Sequence, residues 1–183
     1  YGKADMKETT IHNPDRYMVD LRQILSQGRK KIGLLIGAGA PVSLKVNEDG
    51  KLDDTGEPLI PDVARLTTAV IDRLEPEERA VIDALLPELG ESPNIEAILT
   101  RVRRLSQAIG SVKIHGLNGD DYGLLAESIC NKIGSIVAPK LPSETNSYTE
   151  LISWIGGTHR EHPIEIFTPN YDLLIEEAFE RAR

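Results

Sequence analysis

Two continuous apolar runs interrupt a chain that is otherwise patterned at helical spacing. The first, Ile32-Gly33-Leu34-Leu35-Ile36 closed by Gly37, predicts a strand covered on both faces, the pattern typical of a parallel sheet. The second, Ile164-Glu165-Ile166-Phe167, predicts another strand. Ahead of them, Val19, Leu21, Ile24 and Leu25 predict a short helix from about Asp15 to Gln27, opened by Asn13-Pro14. Between the strands, Val63, Leu66, Val70, Ile71 and Leu74 recur at helical spacing. Pro76 either ends that helix or begins the next, which carries Ala80, Val81, Ala84 and Leu85 and stops at Pro87 and Gly90. Ser92-Pro93 offers a cap and a first-turn proline to Ile95, Ile98, Leu99, Val102 and Leu105. Asp120 or Asp121 starts a further helix bearing Leu124, Leu125, Ile129, Ile133, Ile136 and Val137. A shorter helix runs from about Tyr148 to Ile155 and ends at Gly156-Gly157. After the second strand, Leu174, Ile175, Ala178 and Phe179 share a stripe opposite Glu176, Glu177, Glu180 and Arg181.

The order is strand, long helical stretch, strand, helix. That order predicts an α/β fold, a Rossmann-like parallel sheet with a helical insertion over about residues 61–158. The polar, turn-rich stretch from Lys45 to Pro58 is expected to be a flexible loop or a small hairpin over one end of the sheet. Two strands do not make a stable sheet by themselves. The chain also opens on Tyr1 and stops at Arg183 inside a predicted helix. Residues 1–183 are therefore expected to be the N-terminal part of one longer domain, truncated at the C-terminus, with further strands downstream.

Composition narrows the partners. Aromatics make up only 4% of the chain, so the core must be aliphatic and broad stacking platforms for bases are not expected. A formal net charge of -8 disfavours direct nucleic-acid binding, and Arg101, Arg103 and Arg104 read as a solvated helix face. Cys130 is the single cysteine, so neither an intrachain disulfide nor a four-cysteine zinc site can form, and a cytoplasmic setting is the default. No apolar run approaches the length of a membrane span, and the N-terminus lacks the pattern of a secretion signal.

Gly37-Ala38-Gly39-Ala40-Pro41 follows directly on the first strand. Glycines permit positive backbone angles and let a phosphate approach the main chain without meeting a Cβ. A helix beginning near Pro41 would turn its free N–H groups and positive dipole end toward a bound anion, with Ser43 adding a hydroxyl. The dehydrogenase fingerprint GxGxxG fails because Val42 stands at the third glycine, and no P-loop Gly-Lys-Ser/Thr triplet occurs. The plainer alternative is a tight strand-to-loop turn without a ligand. Phe167-Thr168-Pro169-Asn170-Tyr171-Asp172 ends the second strand. Ligands of open α/β sheets sit beyond the carboxyl ends of strands, where both motifs fall. Asn170 could orient a water or a ribose hydroxyl, and Asp172 could receive hydrogen bonds from a carboxamide. Equally, Asn and Asp are preferred capping residues, and one of them could simply cap the last helix.

Together the GAG-type turn, Gly37 to Gly39, and the later Asn170-Tyr171-Asp172 resemble the sirtuin family. The tyrosine between Asn170 and Asp172 is similar to the divergent prokaryotic sirtuin-like domains that destroy NAD in anti-phage defence. The strings GAGAPVS and Pro93-Asn94-Ile95-Glu96 are similar to the branch partnered with a HerA-type ATPase. The resemblance implies an NAD glycohydrolase that forms a homo-oligomer, with NAD as its substrate; deacetylating sirtuins hold a structural zinc with four cysteines, and with Cys130 alone no zinc is expected here. It also implies catalytic roles for Asn170 and Asp172, and a nucleotide site built from Gly37, Ala38, Gly39, Ala40, Pro41, Ser43, Thr168 and Tyr171. The alternative is a non-catalytic sensor of NAD or ADP-ribose. Ile60-Pro61-Asp62 is similar to a segment of deacetylating sirtuins, but Val63 and Ala64 replace its Phe and Arg, so no role is carried over. The family's catalytic histidine follows the Asn-x-Asp motif, whereas His12, His115, His159 and His162 all precede it, so that residue is expected beyond Arg183.

Overall fold

The computed structural model describes residues 13–183; His12 and the rest of the N-terminal dozen weighed for a secretion signal lie outside them. Helix α1, Pro14–Ser26, opens on Asn13, whose side chain accepts the N–H groups of Asp15 and Arg16. Strand β1, Ile32–Leu35, leads into a single helical turn, α2, Gly39–Ser43. The stretch after it resolves as a hairpin, β2, Lys45–Val46, against β3, Glu57–Pro58, antiparallel and separate from the main sheet.

Helices α3, Val63–Ile71, and α4, Pro76–Leu85, follow, then a 3-10 turn over Leu86–Glu88. Next come α5, Ile95–Ala108, α6, Gly119–Val137, and α7, Ser147–Gly157. Strand β4, Ile164–Phe167, and α8, Leu174–Arg181, close the described chain. Among the described residues no helix is long and apolar enough to cross a membrane.

The helix boundaries correct several expectations, each for a local reason. Ser92 does not cap α5; Asn94 does, accepting the Ala97 N–H at 3.0 Å, and Pro93 lies outside the helix. Helix α6 starts before Asp120, at Gly119, because Asn118 and Asp121 form a reciprocal capping box with both bonds at 3.0 Å. Gly156 and Gly157 lie in the last turn of α7 rather than beyond it.

β1 and β4 pair in parallel, with Leu35 opposite Phe167. The expectation of a strand covered on both faces is not met among the described residues. Alternate residues of both strands face outward, and Leu35 is 78% exposed. The half-buried positions are Ile32, Leu34, Ile164 and Ile166, of which Ile166 packs against the core, so this is a mixed α/β chain with a small parallel sheet.

The core lies in the helical layer. α5 packs most extensively on α6, and Ile98, Val102, Tyr122 and Ile129 are fully buried along that layer. The Tyr122 hydroxyl donates to Ile114 O at 3.1 Å, so the one polar atom of that large ring is paired inside an aliphatic surround. Gly119 sets how closely α6 can begin beside α5. Its N–H donates to Gly110 O at 2.7 Å, and an added Cβ would lie 2.8 Å from Ser106 O and 3.0 Å from Gly110 O. Alanine is the better helix former by about 1 kcal/mol, yet Gly119→Ala is expected to destabilise the fold by about 1–3 kcal/mol through backbone overpacking. Urea unfolding reads this, and a variant as stable as the parent would remove the role given to Gly119.

Candidate functional site

The parallel pairing delivers the two motifs side by side. Ile36 N–H donates to Phe167 O at 2.9 Å, one step beyond the strand ends, and the chains then part. Across that opening, Asn170 Nδ2 donates to Gly37 O at 3.2 Å. A backbone carbonyl can only accept, so the amide must turn its NH2 group toward Gly37. That leaves Asn170 Oδ1 as an acceptor with no protein partner among the described residues. Thr168 supports the turn from below, its hydroxyl oxygen accepting the Asn170 N–H at 3.1 Å.

The first motif takes a shape that its glycines do not need for their own conformation. Neither Gly37 nor Gly39 adopts a positive φ, because Ala38 already has right-handed helical angles and the chain passes directly into α2; the expected left-handed geometry is absent there. A Cβ built on either glycine meets nothing within 4 Å. Packing and backbone angle both leave these glycines unexplained, although each costs the unfolded chain extra entropy on folding. Ser43 is turned away from its expected part in anion binding, since its hydroxyl donates to Ala40 O at 2.7 Å within the helical turn.

A cavity of about 220 Å³ lies against both motifs. Ala38 and Pro41 line it from the first, and Pro169, Asn170, Tyr171 and Asp172 from the second. Gly37, Gly39, Ala40, Ser43 and Thr168 do not line it. Gly37 and Thr168 instead hold Asn170 in place. The connection before α3 completes the wall with Ile60 and Pro61, and the helical layer with Val63 and Leu66 of α3 and Ile95 and Glu96 at the start of α5. The Ile60-Pro61-Asp62 string was the only sequence signal for the first of these walls. Asp62 itself serves as the N-cap of α3, accepting the Arg65 N–H at 2.9 Å.

Asp172 is 7% exposed and accepts the Leu174 N–H at 3.2 Å. It therefore binds the first N–H of α8 and lines the cavity at the same time, although the N-cap position of that helix is Leu173 and neither Asn170 nor Asp172 occupies it. The neighbouring Tyr148 is buried, and its hydroxyl has no hydrogen-bond partner. Burial pushes that phenol up, and the Asp172 carboxylate pushes it further.

Tyr171 lines the cavity from the second motif. It is 60% exposed, and its hydroxyl donates to Glu96 Oε1 at 2.9 Å, joining residues 75 positions apart. No sequence pattern pointed to Glu96 as its partner. The three described histidines, His115, His159 and His162, lie in connections and do not line the cavity. Of the arginines read as a solvated face, Arg101 is held by Glu88 at 2.5 Å, whereas Arg103 donates to Cys130 Sγ at 3.3 Å. No protein-family model matches this sequence, and no curated protein shows significant similarity to it.

The Glu96 hydrogen bond, with burial adding to it, holds the Tyr171 phenol above its ordinary value of 10.0. The protonated phenol is the form that makes this bond. The bond is therefore intact below pH 10.0 and is lost as pH rises through the raised value. In Glu96→Gln the Tyr171 ionisation is expected to move down toward pH 10.0, read by NMR of a ring-labelled tyrosine. An unchanged midpoint would show that the two side chains are not joined.

Proposed function

We propose that this cavity takes the nicotinamide riboside end of NAD, with the pyrophosphate beside Gly37 and Gly39, and that the protein is an NAD glycohydrolase of the sirtuin-like type. The observation that carries the reading is the Asn170 amide bonded to Gly37 O, which fixes the two motifs to each other and turns Asn170 Oδ1 out as a free acceptor. The unexplained glycines Gly37 and Gly39 support it, because open space beside the main chain suits a pyrophosphate. On this reading β1 and β4 belong to a Rossmann-like sheet, with the nucleotide at the carboxyl ends of the strands.

The chemistry asks for little beyond polar placement. The bond between the ribose anomeric carbon and the nicotinamide nitrogen breaks, and its electron pair leaves with the now neutral nicotinamide. Water adds to the oxocarbenium-like carbon and loses a proton, so the products are nicotinamide, ADP-ribose and one proton. Asn170 Oδ1 would orient the water or a ribose hydroxyl, and the Asp172 carboxylate would accept the carboxamide NH2. Tyr171 would line the site beside them. The biological setting belongs to the same proposal: a cytoplasmic homo-oligomer, working with a HerA-type ATPase, that depletes NAD in anti-phage defence.

The test is nicotinamide release from NAD by the full chain with its partner, followed by chromatography. Asn170→Ala is expected to lower the rate by about 100-fold or more, while costing no more than about 1 kcal/mol of stability for one exposed hydrogen bond. Binding of NAD without turnover would support the sensor instead, and no binding would end both readings.

A further inference from the structure

Tyr171 is a wall of more than one cavity. On its far side, between α5 and α6, lies a second cavity of about 400 Å³. Its floor is aliphatic, formed by Ile95, Leu99, Ile133 and Val137, and Tyr171 supplies an aromatic side. Arg103 and Cys130 stand at its edge. Arg103 is exposed and makes no ion pair among the described residues, in contrast to Arg101 two positions earlier, and its guanidinium donates to the Cys130 sulfur at 3.3 Å. A guanidinium has five N–H donors in a planar fork, and a thiol engages one of them.

We propose that this second cavity is a binding site for a small aromatic anion of the mononucleotide class, separate from the cavity assigned to NAD. A flat ring would lie on the aliphatic floor against Tyr171, and its phosphate would take the free donors of Arg103. The volume falls within the roughly 300–1,000 Å³ typical of small-molecule sites. Glu96 also borders this cavity, but its Oε1 already accepts the Tyr171 hydroxyl, so the carboxylate is held against the shared wall. Ile95, Glu96, Val137 and Tyr171 border both cavities, so an occupant here would fix the position of a side chain that also lines the other. The inference does not depend on NAD cleavage.

Cys130 provides a reporter at the site, because a ligand beside Arg103 would cover its sulfur. The full chain is treated with N-ethylmaleimide, and modification of the Cys130 peptide is followed by mass spectrometry, with and without adenosine monophosphate. The nucleotide is expected to slow alkylation by about fivefold or more, while adenosine or inorganic phosphate alone at equal concentration leaves the rate unchanged. Arg103→Ala, compared with itself in the absence of nucleotide, is expected to lose that protection, and calorimetry should show its affinity reduced roughly tenfold or more. Absence of both protection and binding heat overturns the proposal, as does protection that survives Arg103→Ala or that adenosine gives equally well. Nicotinamide release without such protection would leave the proposed function standing and remove this second site.

Discussion

The candidate site depends on one geometric constraint, the parallel pairing of β1 with β4. Because Leu35 lies opposite Phe167, both strands reach their carboxyl ends at the same level, and the residues that follow emerge side by side. Antiparallel pairing would have placed Gly37 and Asn170 at opposite ends of the ladder. Parallel pairing requires a long crossover, and the stretch between these strands provides it. That crossover then folds back to supply Ile60, Pro61, Val63 and Glu96 as the opposite wall. Connection and cavity are thus consequences of the same pairing.

Asn170 shows how little separates scaffold from chemistry here. One end of its amide is committed to Gly37 O, and this commitment sets the direction of the other end. Asp172 is divided in the same way between the first N–H of α8 and the cavity. Each side chain is immobilised by a backbone partner, so the groups left facing the cavity are oriented before any ligand arrives, which lowers the cost of binding.

Local signals were legible in the sequence where periodicity and glycine placement decide the structure. Both strands, the amphipathic stripes of α3, α5, α6 and α8, and the meeting of the two motifs at strand ends follow from Ile32–Gly37, Ile164–Asp172 and the helical spacing between them. The caps of α5 and α6 were misplaced because Ser92, Asn94, Asn118 and Asp120 are chemically interchangeable as N-cap types, and only tertiary geometry chooses among them. The Tyr171–Glu96 bond and the role of Ile60 and Pro61 in the cavity wall were hidden for a different reason: each joins residues far apart in the chain. The apolar run of β1 also misled, since glycine and leucine on its outward face read as buried positions although no described element covers them.

That outward face has a practical side. Leu35 and Phe167 stand in register beside each other, 78% and 57% exposed, on a sheet whose strands have no further partners among the described residues. Unpaired edges and an apolar strip together favour adhesion between copies, whereas a net charge of -8 drives copies apart. Added salt weakens only the repulsion. Wherever the strip is left uncovered, ionic strength therefore sets whether copies adhere, and low salt keeps them apart.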